Sequence, residues 1–482
     1  MLARHLRRAA FALCVVAAAP GLAAPVSVSA AMPGGVGAAL DAAQVPADAL
    51  VALVQEVGST RALFAWRADE PVNPASLTKL FTTLAALDRL GPAWTWTTPV
   101  WLQGEVRDGV LHGNLVVKGS GDPKLVLERL WLMLRRVQQF GVRHIDGDIV
   151  LDRSAFAVPD QNPGDFDGEP RRPYNVRPDA LLLNYKSEVL TFTPDAARNV
   201  VQVAVEPPLA DAQADATVAM VAGSCDDWRA ALRPDLTDPK RTRFVGSYAA
   251  SCGEKQWALA DADPATYNER VLTHLWRELG GTLGGRVRDG LAPATRPSFE
   301  LVSPPLAEVV RDINKFSNNV MAQQLFLTLG LQQRGSGTPQ AARAVLKQWL
   351  AERLGRGTET ATFDNGSGLS RDTRVSARLL GRLLQYGWAS PVMPELMASL
   401  PVTGQDGTLR NAKVSVGRAH LKTGSLRDVA GIAGYVLSTS GKRYVVAAVV
   451  NHDNAAQARP ALDALVQWVA GDLKPLPPAA AP

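Results

Sequence analysis

Two groups of apolar runs, one toward each end of the chain, constrain the fold more than any other feature. Residues 50–57 and 63–66 flank Gly58-Ser59-Thr60, and residues 431–437 and 444–450 flank Thr439-Ser440-Gly441, with a further run at 421–423. Short β-branched runs about small turn residues read as hairpins. Between them Asn73-Pro74 opens a helix whose Leu77, Leu80, Leu84 and Leu87 recur at helical spacing, leaving Ser76 and Lys79 one turn apart on another face. Further helical patterns cover 306–313, 319–329, 339–354, 376–386 and 461–469. This order predicts an α/β domain, residues 32–92 and 293–474, whose sheet is completed from both ends of the chain. Residues 93–292 form an inserted region, expected as two small subdomains. It is rich in turns, with strand alternation at 115–117 and 200–205 and a helical stretch at 265–279. A Pro/Ala tail, 475–482, is expected to hold no fixed structure.

The first thirty-one residues read differently. Arg4, Arg7 and Arg8 precede an apolar stretch from 9 to 19, then Pro20, Gly21 and small residues, the pattern of an export leader cut after Ala23, Ala30 or Ala31. A short buried helix is the other reading. Removing three arginines lowers the formal charge from +5 to +2, so nucleic acid is not an expected partner. No run approaches the roughly 20 apolar residues of a membrane span. Cys14 leaves with the leader; as a lipidation site it would follow Leu13, where a small residue is needed. The remaining pair, Cys225 and Cys252, suits a disulfide in an oxidising compartment, two free thiols being the alternative. The six histidines, His5, His112, His144, His274, His420 and His452, show no metal-binding spacing. No GxSxG, P-loop or GxGxxG motif is present, and no cofactor is expected. Oligomeric state is not readable.

Three short motifs stand in order: Ser76-Leu77-Thr78-Lys79, Ser317-Asn318-Asn319 and Lys422-Thr423-Gly424. A serine hydroxyl is a poor nucleophile until a base takes its proton, and a lysine one helical turn away can do so if desolvation lowers its pKa. Together the motifs resemble the SxxK, SxN and KTG set of penicillin-binding proteins and serine β-lactamases. About half the chain separates the first two motifs, which resembles the class C low-molecular-mass penicillin-binding proteins, the D-alanyl-D-alanine carboxypeptidase/endopeptidases of the penicillin-binding protein 4 type (peptidase family S13). Gly119-Ser120-Gly121-Asp122-Pro123, residues 147–152, residues 364–370 and Asp406-Gly407-Thr408-Leu409-Arg410 agree. The likeness covers most of 45–470.

The resemblance implies a transpeptidase-like fold and an exported, periplasmic serine enzyme, with or without loose membrane association. It would cleave D-Ala-D-Ala or D-Ala-diaminopimelate bonds of peptidoglycan stem peptides and be inhibited by β-lactams. It assigns Ser76 as nucleophile, Lys79 as base, Ser317 as proton relay and Asn319 as a substrate-backbone partner, with Lys422 keeping the site electropositive. Backbone amides of Ser76 and Ser425 would stabilise the oxyanion; Thr423 and Ser425, flanking Gly424, would hold the terminal carboxylate. Asp152 would reach from the insert to a diaminopimelate amine, or else be a surface turn acid. Asp364 and Asn365 would build a loop beside the site, and His420 would line the cleft or pack within its strand. Rival readings are a β-lactamase, a catalytically silent peptidoglycan-binding scaffold, and an esterase or aminopeptidase on the same fold.

Overall fold

The computed structural model describes residues 31–238 and 240–474. The expected leader, save residue 31, and the expected tail lie outside the described residues. One sheet organises the catalytic half, in the order Ala419–Leu426, Val429–Leu437, Arg443–Asn451, Leu50–Glu56, Ala62–Trp66, every neighbouring pair antiparallel. The closing seam pairs Leu50 with Val450 and Glu56 with Tyr444, so both chain ends supply it as the hairpin pattern predicts.

Helices cover both faces, which is why these strands are apolar throughout rather than alternating with polar residues. Val51, Leu53, Val445, Ala447 and Val449 point into a core made with the helices Thr78–Leu90, Leu306–Lys315, Asn319–Arg334, Pro339–Leu354 and Ala377–Ala389. Their neighbours Leu50, Ala52, Val54, Val446, Ala448 and Val450 meet the helices Gly34–Ala42 and Arg459–Ala470. The first of those two helices, low in hydrophobic contrast, was not expected from the sequence.

The insert is built on a seven-stranded sheet whose spine is Val110–Lys118 paired with Thr97–Arg107. Phe299–Val302 adds to its edge through Phe299 opposite Val100, so this sheet runs past the boundary expected at 292. Helices Leu127–Gln139 and Tyr267–Glu278 pack on one face; the first was not anticipated, because Trp131 and Leu132 fill exposed positions and blur its periodicity. Nested within the insert, five strands between Ser187–Asp195 and Lys255–Ala260 form a second sheet around Leu190, Phe192, Val218 and Tyr248.

Cys225 and Cys252, 27 positions apart, are joined beside that small core. Closing a loop of this length stabilises by about 2–4 kcal/mol, chiefly by restricting the unfolded chain. Reduction is therefore expected to lower the melting temperature of the nested unit before acylation by a labelled β-lactam changes. Simultaneous loss of both on titration with reductant would contradict this.

Candidate active site

Ser76 sits in a one-turn 3-10 helix, Ala75–Leu77, leading directly into the helix Thr78–Leu90. Ala75 holds φ at +46°, an uncommon conformation for a residue with a side chain. Asn73 stabilises the turn: its Oδ1 accepts from the Ala75 amide at 2.9 Å and its Nδ2 donates to the Ser370 carbonyl at 2.9 Å. Asn451, at the end of the strand Arg443–Asn451, brackets the Asn73 backbone with bonds of 2.9 and 3.0 Å. The strand Ala419–Leu426 approaches the same turn at Gly424, where a Cβ would stand 2.7 Å from the Pro74 carbonyl oxygen. Glycine is what permits this contact.

Lys79 is fully buried, its Nζ 2.9 Å from Ser76 Oγ and 2.6 Å from both Asn319 Oδ1 and the Ser367 carbonyl oxygen. Once the amine is neutral, these two acceptors can take its two hydrogens and its lone pair can accept from the Ser76 hydroxyl. Burial, and then the nearby charge of Lys422, push the Lys79 pKa well below 10.5. Lys422 is also buried; its Nζ donates to Ser317 Oγ at 2.9 Å and to the Thr423 carbonyl at 2.8 Å. Desolvation alone brings its pKa to about 7. Ser317 adopts φ +57° ahead of the helix Asn319–Arg334, capped by Asn318, whose Oδ1 accepts from the Met321 amide at 3.0 Å. Ser317 is therefore free of capping duty.

Above these groups lies a cleft of about 1210 Å³ lined by Ser76, Ser317, Asn319 and Ser425. Thr423 alternates onto the same face of its strand as Ser425, and its hydroxyl lies 2.8 Å from that of Thr408. The insert supplies the opposite wall with Phe166, Asp167, Tyr174 and Glu128. Asp167 accepts from the Tyr174 hydroxyl and from Asn175 Nδ2, both at 2.8 Å, and the Arg371 guanidinium lies over the Phe166 ring, 4.8 Å from its centre. Sequence reading missed these wall residues. They come from loops with no fixed spacing to the motifs, and only the density of charged and aromatic residues at 165–174 could have flagged them.

Asp152 does not stand where the sequence reading put it. It ends the strand Ile149–Asp152, is 2% exposed and is not among the cleft-lining residues. Both carboxylate oxygens are occupied, one by the Ser154 amide and hydroxyl at 2.9 and 2.6 Å, the other by the Ala292 amide at 2.9 Å. It closes the end of the insert's sheet and is neither a surface acid nor a reach across the cleft. His420 packs within its strand: its Nδ1 is buried with no hydrogen-bond partner among the described residues, and burial lowers its pKa. Asn365 folds the loop between the flanking helices, its side chain contacting the Ser367 amide and the Leu369 carbonyl, and so presents the Ser367 carbonyl to Lys79.

The rate of acylation is expected to follow the neutral fraction of Lys79, rising with pH and levelling well below 10.5. Since the charge of Lys422 is one of the two causes of the low pKa, Lys422→Gln should move this acidic limb to higher pH, whatever it does to the plateau. An unmoved limb in the pH–rate profile of the variant would show that the two amines are not coupled.

Among the described residues no cluster of His, Cys, Asp or Glu is arranged to hold a metal ion. A cleft serine with a buried lysine on each side of it, beside a sheet sandwiched by helices, defines a serine peptidase of the penicillin-binding fold. Comparison with known proteins agrees. The D-Ala-D-Ala carboxypeptidase 3 (S13) family matches residues 37–471, and the chain belongs to that family. Similar relatives include D-alanyl-D-alanine carboxypeptidase DacB of Haemophilus influenzae, 26% identical over 78% of this chain and 80% of the relative. The D-alanyl-D-alanine carboxypeptidase of Actinomadura is 29% identical over 84% and 78%. The crystal structure of penicillin-binding protein 4 from Haemophilus influenzae superposes with a TM-score of 0.71 at 22% identity, covering 90% of this chain and 99% of that one.

Proposed function

We propose that this enzyme is a DD-carboxypeptidase and DD-endopeptidase that cleaves the bond following a D-alanine in peptidoglycan stem peptides, and that β-lactams acylate the same serine. The observation that carries the reading is the Lys79 amine, its pKa pushed well down by burial and its Nζ 2.9 Å from Ser76 Oγ.

Lys79 takes the hydroxyl proton as Ser76 Oγ attacks the D-alanyl carbonyl, and the backbone amides of Ser76 and Ser425 stabilise the oxyanion. Collapse breaks the peptide bond; the leaving amine receives its proton through Ser317, which Lys422 orients. Water then hydrolyses the ester and returns Ser76. Asn319 holds the substrate backbone, while the hydroxyls of Thr423 and Ser425 receive the terminal carboxylate. With Asp152 occupied elsewhere, Asp167 and Glu128 are the acids that line the cleft and suit a cationic side chain. The cleft exceeds the roughly 300–1,000 Å³ of ordinary small-molecule pockets, which suits a branched peptide. No helix among the described residues is long and apolar enough to cross a membrane, and we take the arginine-led N-terminus to export the enzyme to the periplasm.

The test is incubation with a labelled penicillin and, separately, with a stem peptide ending in D-Ala-D-Ala. A persistent adduct mapped to Ser76, together with release of D-alanine blocked by the drug, is expected. Rapid turnover of penicillin without a lasting adduct would indicate a β-lactamase, and binding of peptide without release of D-alanine a silent scaffold.

A further inference from the structure

The cleft end nearest Ser425 carries more positive charge than the three motifs supply. Arg371 and Arg427 line it, and Arg371 is paired with Asp428 at 2.8 Å. A third arginine, Arg459, is not itself among the cleft-lining residues but reaches one of them. It opens the helix Arg459–Ala470, and its guanidinium donates to Ser425 Oγ at 3.2 Å.

The partner of that bond is a neutral hydroxyl, so the bond does not compensate the charge. One turn along the helix, Asp463 feels it: burial raises the Asp463 pKa and the Arg459 charge opposes the rise. The position is also unfavourable for the helix itself. Cations at a helix N-terminus run against the macrodipole, which favours acids there. An exposed arginine placed against the dipole and bonded to a cleft-lining serine has, on its own helix, only Asp463 to offset its position.

We propose that Arg459 is a specificity-determining residue that reads the terminal carboxylate of the substrate together with Ser425. The inference rests on the carboxylate-binding role of Ser425 proposed above. By donating to Ser425 Oγ, the guanidinium makes that oxygen an acceptor and leaves the serine proton free to donate to an anion. The remaining guanidinium donors, permanently charged, offer the same anion charge-assisted hydrogen bonds. Arg459 therefore strengthens the preference for a free carboxyl terminus over a neutral one.

The experiment compares kcat/KM of the full-length enzyme on two stem peptides, one ending in D-Ala-D-Ala with a free carboxylate and one ending in the carboxamide. Arg459→Gln should lower kcat/KM for the carboxylate peptide about ten- to hundredfold and barely affect the carboxamide. Arg459→Lys should recover part of the loss. Because the site is exposed, the wild-type preference should shrink as salt rises, and that of the glutamine variant should not. Equal loss on both peptides, no loss on either, or loss on Arg427→Gln in place of Arg459→Gln would each overturn the inference. A wild-type enzyme indifferent to the terminal carboxylate would overturn it too; acylation of Ser76 by penicillin would then still uphold the proposed function.

Discussion

Lys79→Met is expected to slow acylation by labelled penicillin about 10²–10⁴-fold, the usual contribution of a positioned base, and Ser76→Ala to abolish it. The loss should come without unfolding. Removing the amine leaves Asn319 Oδ1 and the Ser367 carbonyl short of a donor, which costs about 1–3 kcal/mol for each buried group. Against this stands the cost of burying the amine. Its folded pKa lies well below its unfolded value, so between those two values the unfolded chain binds more protons than the folded one. Burial of Lys79 therefore destabilises at neutral pH, and that cost fades as pH rises toward 10.5. Methionine fills similar volume with no such cost. Stopped-flow acylation and thermal unfolding, measured on the same samples, check both halves. A Lys79→Met enzyme that acylates at the wild-type rate would mean another group takes the serine proton.

Gly368→Ala should be nearly as damaging, although the residue carries no functional group. Its φ is +82°, and a Cβ there would stand 1.9 Å from the Ala75 carbonyl oxygen and 3.0 Å from the Ser76 amide nitrogen. Both are backbone atoms of the turn that aims the nucleophile, so that turn must move. Displacing a reacting atom by about 1 Å commonly costs roughly 100-fold in rate. Gly366→Ala provides the contrast. Its φ is +73° and its Cβ would meet the Phe326 ring at 2.5 Å, in the helical core rather than at the nucleophile. We expect it to lower the melting temperature more than it lowers acylation. Equal acylation rates in the two variants would show that the contact between Gly368 and Ala75 does not position Ser76.

What was legible in the sequence follows a physical division. Ser76 and Lys79 could be paired without a structure because one helical turn fixes their separation. The catalytic sheet could be anticipated because strands buried on both faces must be apolar along their whole length. Lys422 and Ser317 could be brought together only through resemblance, since nothing local relates them. The Ser367 carbonyl was not legible as the third partner of Lys79, because every residue has a carbonyl and only the turn made by Asn365, Gly366 and Gly368 aims this one. Asp152 was misplaced for a similar reason: a stretch of chain records which strand an acid ends, but not which of that strand's neighbours will take up its oxygens. The sheet edge at Phe299–Val302 escaped because its partner Thr97–Arg107 lies across the whole insert.

The pairing of Asn73 with Asn451 spans 378 positions, and this sets a timetable. A chain emerging from its N-terminus presents the nucleophile long before the strand that pins the turn beneath it. Meanwhile the insert finds all the strands of its own sheets between residues 97 and 302, although Asp179 and Gly121 also bond Gln324 of a later helix. Long-range closure is the slow step in such topologies. The emerging polypeptide thus carries its serine without the strand that pins its turn until Asn451 has been made and docked.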